Sequence, residues 1–483
     1  RHQTIVTLST IPLDDQKVWQ LFCRAETVGT FQTETEAMRV LLKKIQPRNI
    51  EELSVVNAMD RPGPLNKKMD DLYANRKFKR QKTEILHESI EDILAPTYQT
   101  LVYQEQVMKI AEQFSGFSKY EADVLRKSMG KKKRELVIQM KEKFLSGAEK
   151  LGRPKDIAEK LFTVIEEFSE YAFNMSHSLA YSLISYQTAW LKVYYPQEFM
   201  CSLLNVFKQN LDEIEKYLNE CVRMKIKVVP PDINISQNDF SISSQNEIVY
   251  GFSGIRDIGS DATKGIITNR PFVSIEDFYF QFSTLNKKTM EALIYSGCLD
   301  SLSPYRSSLL SFDADNRKNR KYKKSSDMST MNLFNMEEIF KQNKKSQIQE
   351  FGTNDFEKMD KLINEKKYLG YYRTGHPLDT LQDKYKHVKV TQVKDLLENQ
   401  NYLQNVSIFV RGVIENIVKR TTKTTKKPMA FISLSDRTGK IETILFPNSF
   451  DRFFNLLSIG KIVLINGKVL EDKVSISTVS ILE

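Results

Sequence analysis

Val228-Val229-Pro230-Pro231-Asp232 divides the chain in two. Proline has no N–H for a helical ladder and pushes the residue before it toward extended backbone, so no helix runs through this point. Upstream, from about Pro12 to Asn234, the pattern is mostly helical. Val107, Met108, Ile110, Ala111 and Phe114 recur at helical spacing, as do Leu179, Leu183, Ile184, Trp190, Leu191 and Tyr194, and each set predicts an apolar helical face. Downstream the pattern changes twice. A hairpin-like stretch, Ile248-Val249-Tyr250-Gly251, precedes two helix pairs joined by tight turns at Gly259 and Gly297, and a run without sustained period over residues 313 to 350 reads as a solvated linker. The end is rich in β-branched and aromatic residues between turn signals. Five strands are expected there, at Val406 to Val418, Met429 to Leu434, Ile441 to Phe446, Ile462 to Leu470 and Val474 to Leu482, with a helical segment from Asn448 to Leu457. Five strands with one inserted helix match a small Greek-key barrel of the OB type.

A length of 483 residues exceeds the size at which single cores stop growing, so about three domains are expected. Apolar residues at 41% and charged residues at 27% exclude wholesale disorder. Lysine and arginine number 71 against 61 acidic residues. The excess is clustered: six cations and no acid lie between Arg126 and Arg134, and six more between Arg317 and Lys324, which favours a polyanionic partner. Cys23, Cys201, Cys221 and Cys298 are far apart without zinc-ligand spacing. No apolar run reaches membrane-span length and no signal-peptide pattern is seen, so the chain reads as cytoplasmic. Its start at Arg1-His2-Gln3, without methionine, reads as that of a fragment.

Several stretches suit anion chemistry. Phe173-Asn174-Met175-Ser176-His177-Ser178 precedes a helix, with Ser176 or Ser178 as the natural N-cap. A helix start carries unpaired N–H groups and partial positive charge, and His177 adds a donor, so this is either a phosphate site or a capped, buried helix. In Ala122 to Lys133, Gly130 is placed to end one helix in a left-handed cap, after which Lys131, Lys132 and Lys133 open the next. Cations at a helix start oppose the macrodipole and ask for an anion, with Arg126 and Lys127 alongside. Arg61-Pro62-Gly63-Pro64 is either a rigid turn allowing close backbone approach or a plain loop. Ile255-Arg256-Asp257-Ile258-Gly259-Ser260-Asp261-Ala262 resembles a helix-hairpin-helix, in which backbone N–H groups at a glycine turn meet a DNA phosphate. Asp257 stands where such hairpins usually carry another glycine, and its charge opposes that contact. On the barrel, Lys419, Arg420, Lys423, Lys426 and Lys427 form a basic loop among threonines, while Phe409 and Phe431 on neighbouring strands are either base-stacking platforms or core. No nucleophile–base set and no Walker A pattern occurs, and the only D-x-D pair, Asp313 and Asp315, lies in the polar linker and reads as solvated.

Taken in order, these stretches resemble the DnaE-type alpha subunit of bacterial DNA polymerase III over essentially the whole chain. The resemblance is carried by Gly29-Thr30-Phe31-Gln32, Arg61-Pro62-Gly63-Pro64-Leu65, Pro96-Thr97-Tyr98, Tyr103-Gln104-Glu105-Gln106-Val107-Met108, the Arg126 to Lys133 run, Phe173-Asn174, and Ser176-His177-Ser178-Leu179-Ala180-Tyr181. Ser185-Tyr186-Gln187-Thr188, Tyr195-Pro196 and Glu198-Phe199 extend it. It implies a mainly α fingers domain, a helix-hairpin-helix module and an all-β OB-fold barrel, divided as fingers with the palm's edge over 1–232, tandem hairpins over 233–311, a linker with a clamp-binding motif over 312–365, a connector over 366–404 and the OB-fold over 405–483. It further implies a DNA-directed DNA polymerase, a nucleotidyltransferase of DNA replication, whose partners are primer-template DNA, dNTP, the beta sliding clamp and other replisome subunits. Arg61, Arg126, Lys127, Lys131, Lys132, Lys133, Ser176, His177 and Tyr181 are the candidates for nucleotide phosphates. Gly259 and the barrel cations are those for DNA, and Met331, Leu333 and Phe334 are the apolar anchors of a clamp motif whose usual glutamine is Thr330 here. Met175 replaces the family's usual lysine. Magnesium would be held by palm aspartates upstream of Arg1, so these residues alone are expected to be inactive. The rival class is a non-enzymatic single-stranded DNA-binding or replication assembly factor; a PolC-type polymerase is disfavoured because its OB domain comes first.

Overall fold

Helix-forming stretches of the first half carry their own start signals. The computed structural model describes residues 5–83, 85–130, 134–169, 171–282, 284–326, 355–381, 385, 388–398, 403–422, 424–470 and 473–482. Asp15 accepts from the N–H groups of Lys17 and Val18 to open α1 (Gln16–Cys23), Thr35 caps α2 (Glu36–Ile45) and Asn49 caps α3 (Ile50–Met59). Short helices α4 (Pro62–Asn66), α5 (Met69–Lys77) and α6 (Glu91–Leu94) follow. Then come α7 (Gln104–Ser115), α8 (Lys119–Gly130), α9 (Arg134–Lys150), α10 (Lys155–Ser169), α11 (Met175–Tyr194), α12 (Pro196–Val206) and α13 (Leu211–Arg223). The chain folds into two units. The first comprises Arg1–Leu203 and Asn219–Ile226; the second comprises Leu204–Leu218 and Lys227–Glu483.

The first unit has two apolar cores. One gathers α1, α2, α3 and α11 around Trp19, Phe22 and Tyr186; the other gathers α7 to α10 around Phe114, Phe144 and Phe162. The expected α7 face is borne out, since Val107, Ile110, Ala111 and Phe114 are buried. The expected α11 face is not. Leu183 and Ile184 are 37% and 41% exposed, whereas Ser178, Ser182 and Ser185 are fully buried. Small serines let α11 approach α3 closely, and each hydroxyl finds an acceptor: Ser178 Oγ donates to Ser54 O (2.6 Å), Ser182 Oγ to Ser178 O (2.8 Å) and Ser185 Oγ to Tyr181 O (3.0 Å). Gly130 is the last helical residue of α8, not a cap beyond it. Arg61-Pro62-Gly63-Pro64 is neither free turn nor loop but the start of α4, with proline at the first helical position.

In the second unit, β1 (Val228–Val229), β2 (Ser241–Ile242) and β3 (Ile248–Val249) form a small sheet in the order β1-β3-β2. Helices α14 (Ser260–Thr268), α15 (Ile275–Phe282), α16 (Lys287–Tyr295) and α17 (Arg306–Ser326) follow, then α18 (Lys358–Leu369) and α19 (Val393–Glu398). The linker expectation fails at its start, because α17 continues to Ser326. Asp313, expected to be solvated, is 6% exposed and takes Arg317 Nε at 2.7 Å. The linker's apolar island, Met331, Leu333 and Phe334, lies outside the described residues.

Strands β4 (Ser407–Thr421), β5 (Pro428–Ser435), β6 (Lys440–Leu445), β7 (Ile462–Leu470) and β8 (Lys473–Ile481) close a barrel in the order β4-β5-β6-β8-β7. Its inserted helix α20 (Pro447–Phe453) ends in a 3-10 turn. One long strand serves two neighbours: β4 pairs with β7 over Ser407–Val413 and with β5 from Val413 to Thr421. The register shift between Ile414 and Asn416 leaves Glu415 unmatched and bends the strand, which is how a bulge closes a small barrel.

Candidate nucleotide and nucleic-acid interfaces

The start of α11 is built by a two-residue bridge. Tyr103 and Phe173 pair in parallel, with Gln104 N–H donating to Phe173 O at 2.9 Å. This sets Asn174 as the N-cap in place of the expected Ser176 or Ser178, and its Oδ1 accepts from His177 N–H at 2.8 Å. The anion expected at this helix start comes from the chain itself. Glu105 Oε2 accepts from Met175 N–H (3.0 Å) and its Oε1 from Asn174 Nδ2 (2.8 Å). Ser176 and His177 stay exposed beyond it.

What the sequence reading missed is a row of planar groups. The Arg61 guanidinium lies 4.5 Å from the Phe173 ring, His177 sits between Phe173 (5.6 Å) and Tyr181 (4.2 Å), and Phe31 packs 5.3 Å from Tyr181. His177 and Tyr181 stand four residues apart on one face of α11, and Phe173, just ahead of the N-cap, packs against that face; the i,i+4 spacing was the available signal. Phe31 comes from the 27–33 loop, pinned where its N–H donates to Thr188 Oγ1 (3.1 Å) and where the buried Lys192 ammonium donates to Glu26 O (2.8 Å) and Val28 O (2.6 Å). Such faces offer stacking surface to a base rather than charge to a phosphate.

Three candidate cations are engaged by the chain itself. Arg61 donates to Ala58 O (2.9 Å) and Tyr171 O (2.6 Å), and burial lowers its pKa. Gly63 is needed because a Cβ there would lie 2.0 Å from the Tyr171 ring. Arg126 donates to Asp123 Oδ1 (2.7 Å) and Gln104 Oε1 (3.1 Å), and Lys127 pairs with Asp123 Oδ2 at 2.6 Å. Hydrogen bonds from Lys127 and Arg126 hold Asp123 below its ordinary value. Lys131, Lys132 and Lys133 lie outside the described residues.

In the second unit the two glycine turns differ. Gly259 is the N-cap of α14 at φ −87°, and a Cβ there would meet nothing within 4 Å. The left-handed residue of this turn is Asp257, at φ +68°, so the aspartate adopts the conformation expected of a glycine. Its carbonyl accepts from Thr289 Oγ1 at 3.1 Å, and Arg256 N–H donates to Tyr368 O at 3.0 Å. Ahead of α14, the N–H groups of Gly259, Ser260 and Asp261 have no partner among the described residues. Gly297, at φ +76°, is occupied: a Cβ would lie 1.6 Å from Arg373 Nη1 and 2.2 Å from Arg306 Nη2. Arg373 Nη1 donates to Gly297 O (2.8 Å) and Asp300 Oδ2 (2.7 Å).

On the barrel, Lys419, Arg420, Lys426 and Lys427 are exposed in the β4–β5 hairpin, and Lys423 lies outside the described residues. Among the described residues, Arg420, Lys426 and Lys427 have no carboxylate within ion-pair distance, while Lys419 sits over the Phe450 and Phe454 rings at 5.5 and 5.4 Å. Phe409 is 47% exposed and Phe431 is partly covered by the Lys473 ammonium, 5.4 Å from its ring, so neither is core. No three His, Cys, Asp or Glu side chains among the described residues converge on a metal position. No helix among the described residues is long and apolar enough to cross a membrane.

Known proteins match these parts in the same order. Residues 1–152 match the bacterial DNA polymerase III alpha subunit finger domain, residues 225–309 a helix-hairpin-helix motif, and residues 408–481 an OB-fold nucleic acid binding domain. The chain is 34% identical to the DNA polymerase III subunit alpha of Haemophilus influenzae, with 97% of this chain and 41% of that protein covered. For the subunit of Escherichia coli K12 the values are 34%, 97% and 41%, and for that of Aquifex aeolicus 36%, 98% and 39%. The chain thus spans about two fifths of the length of the curated relatives it matches. A finger domain, a helix-hairpin-helix and an OB barrel, in this order and within one match that takes in nearly every residue, belong to the bacterial DNA polymerase III alpha-subunit family, and so does this chain.

Proposed function

We propose that this chain is the part of a template-directed replicative DNA polymerase that positions the incoming dNTP, grips primer-template DNA and docks the sliding clamp. The observation that carries this is the match over 97% of its residues to DNA polymerase III alpha subunits. In this reading 1–232 is the fingers domain with the palm's edge, 233–311 the tandem hairpin module, 312–365 the linker with the clamp motif Met331, Leu333 and Phe334, 366–404 a connector and 405–483 the OB domain. Other replisome subunits are further partners in this reading.

Nucleotide positioning falls to the exposed start of α11. Glu105 already neutralises one end of that helix, so the role best supported for His177 and Tyr181 is stacking or hydrogen bonding at the base or sugar, while Ser176 N–H and the Lys131, Lys132 and Lys133 run serve the phosphates. Arg61 and Arg126 act by shaping this surface, since their donors are taken by the chain, whereas Lys127, paired with Asp123 but exposed, keeps donors for a phosphate. DNA is gripped at two places: the open N–H groups ahead of α14 suit a backbone phosphate, and the basic hairpin with Phe409 suits a single strand. Magnesium does not fit the described residues, where carboxylates pair with cations instead of converging, so no metal step is assigned to them.

In the polymerase containing this chain, His177→Ala is expected to raise the KM for dNTP about tenfold with a smaller change in kcat, measured by single-nucleotide primer extension. An unchanged KM removes His177 from the site. Charge reversal at Lys131 and Lys132 is expected to act in the same direction. The chain alone is expected to extend no primer; magnesium-dependent extension by the purified chain overturns that. The second reading, a non-enzymatic single-stranded DNA-binding or assembly factor, rests on the exposed hairpin cations and Phe409, and is favoured only if the intact protein binds single strands yet never extends a primer.

A further inference from the structure

Helix α18 carries two ionic anchors on consecutive residues, and they face different parts of the second unit. Glu365, fully buried, accepts from Arg306 Nη1 (2.9 Å) and from the N–H groups of Arg373 (2.8 Å) and Thr374 (2.9 Å). Arg306, also fully buried, holds Asp300 beside the Gly297 turn through Nε (2.8 Å) and Nη2 (2.6 Å). Lys366, the next residue, pairs with Glu215 of α13 and with Glu415 Oε2 of β4 at 3.3 Å. Glu415 is the residue the β4 register shift leaves unmatched, and its Oε1 accepts from Ser435 Oγ (2.6 Å) and Tyr372 Oη (3.2 Å). Burial raises the pKa of Glu215; burial acts the same way on Glu415, but Lys366 and Ser435 outweigh it and hold that carboxyl below its ordinary value.

The helix is also fastened at its end. Tyr368 O accepts from Arg256 N–H (3.0 Å) in the turn before Gly259, and Leu369 O accepts from Tyr250 Oη at 2.9 Å. At Gly370, φ +81°, a Cβ would lie 2.7 Å from Leu211 O, so the chain leaves α18 without slack. Both glycine turns and the barrel therefore bond to one short helix. Apolar contacts tolerate sliding, whereas two carboxylates sharing one largely covered ammonium, 18% exposed, have few satisfactory geometries.

We propose that Glu365 and Lys366 are positioning residues that lock the open Gly259 turn and the basic barrel hairpin into one rigid, bivalent grip on a DNA that passes from duplex to single strand. This rests on the DNA reading given above. A fixed spacing turns the second contact into an intramolecular one, and that gain disappears when the spacing is loose.

The test uses the full chain, comparing Lys366→Met and Lys366→Arg with wild type. Affinities are measured for a duplex, a single strand, and a duplex carrying a single-stranded tail; the distance between spin labels on Lys264→Cys and Asn448→Cys is measured alongside. Wild type is expected to give one narrow distance. Lys366→Met should broaden it and weaken the tailed duplex about tenfold, with duplex and single strand held within twofold, and Lys366→Arg should restore both. An unchanged distance distribution, or an equal loss on all three DNAs, overturns the proposal. If wild type binds none of the DNAs, the DNA reading has failed and the distance distribution alone decides the coupling. Should Lys366→Met fail to fold, Glu215→Gln takes its place with the same two outcomes.

Discussion

The two glycine turns of the hairpin module look alike as sequence and are opposites as structure. At Gly297 the left-handed backbone is glycine's own, and the turn's carbonyl and the space in front of it belong to Arg373 and Arg306. At Gly259 the φ is ordinary, the strained position has moved two residues back to Asp257, and nothing fills the space ahead of the helix. A buried turn with its polar groups satisfied is a joint; an exposed turn whose N–H groups have no partner among the described residues is a surface for an anion. The pair thus divides labour, one turn holding the module to the connector and the other left for a ligand.

The largest effect that would break this contrast is expected at Arg306. Arg306→Met leaves Asp300 and Glu365 without their shared cation and should cost about 3–5 kcal/mol in urea unfolding; a loss under about 1 kcal/mol would mean that the joint is not where stability resides. Gly297→Ala forces a side chain into the left-handed region and against two guanidiniums, at about 2–4 kcal/mol, by the same measurement.

A pH titration sharpens the contrast further. His376 follows the segment that delivers Arg373, and its Nδ1 accepts from Leu378 N–H at 3.1 Å. Burial, with Arg437 nearby, pushes its pKa down to about 4. The unfolded chain, with histidine at its ordinary value, binds the proton more readily, so stability should fall as pH drops through the window between that value and about 4. Discounted for the ring's partial exposure, the loss should be about 2 kcal/mol, and His376→Asn, which can still accept from Leu378, should remove that share of it. Equal acid sensitivity in both proteins would sink the assignment.

Legibility in the sequence followed the range of the forces. The barrel strands were readable because alternation with a period of two survives wherever one face is buried, as in Ile462–Leu470, found at its expected limits. The α11 face was misread because helix packing there uses serines, whose hydroxyls are satisfied by backbone, so hydrophobicity pointed to the wrong side. Asp313 reads as solvated because its polar neighbourhood has no period, whereas in α17 it is buried and paired with Arg317 four residues on. Glu105 at the α11 start and Arg373 in the Gly297 turn were invisible for a different reason. Each arrives from another part of the chain, 70 residues away for the Met175–Glu105 bond and 76 for Arg373–Gly297, and no local pattern encodes that meeting.

The smallest expected change in stability is the most informative about function. Gly259→Ala puts a methyl into open space at a φ any residue adopts, so urea unfolding should move by less than about 0.5 kcal/mol. Gly259→Glu should be similarly tolerated by the fold, since the site is exposed, but it sets a carboxylate beside the N–H groups that a DNA phosphate would use. Duplex affinity should then fall about tenfold, which corresponds to about 1.4 kcal/mol of weakened phosphate binding and added repulsion. The salt dependence of binding should flatten by about one unit of slope, as expected when one fewer phosphate is neutralised. If Gly259→Glu leaves affinity and slope unchanged while Lys426→Glu and Lys427→Glu lower both, the open turn is only unfilled space, and the grip on nucleic acid belongs to the barrel alone.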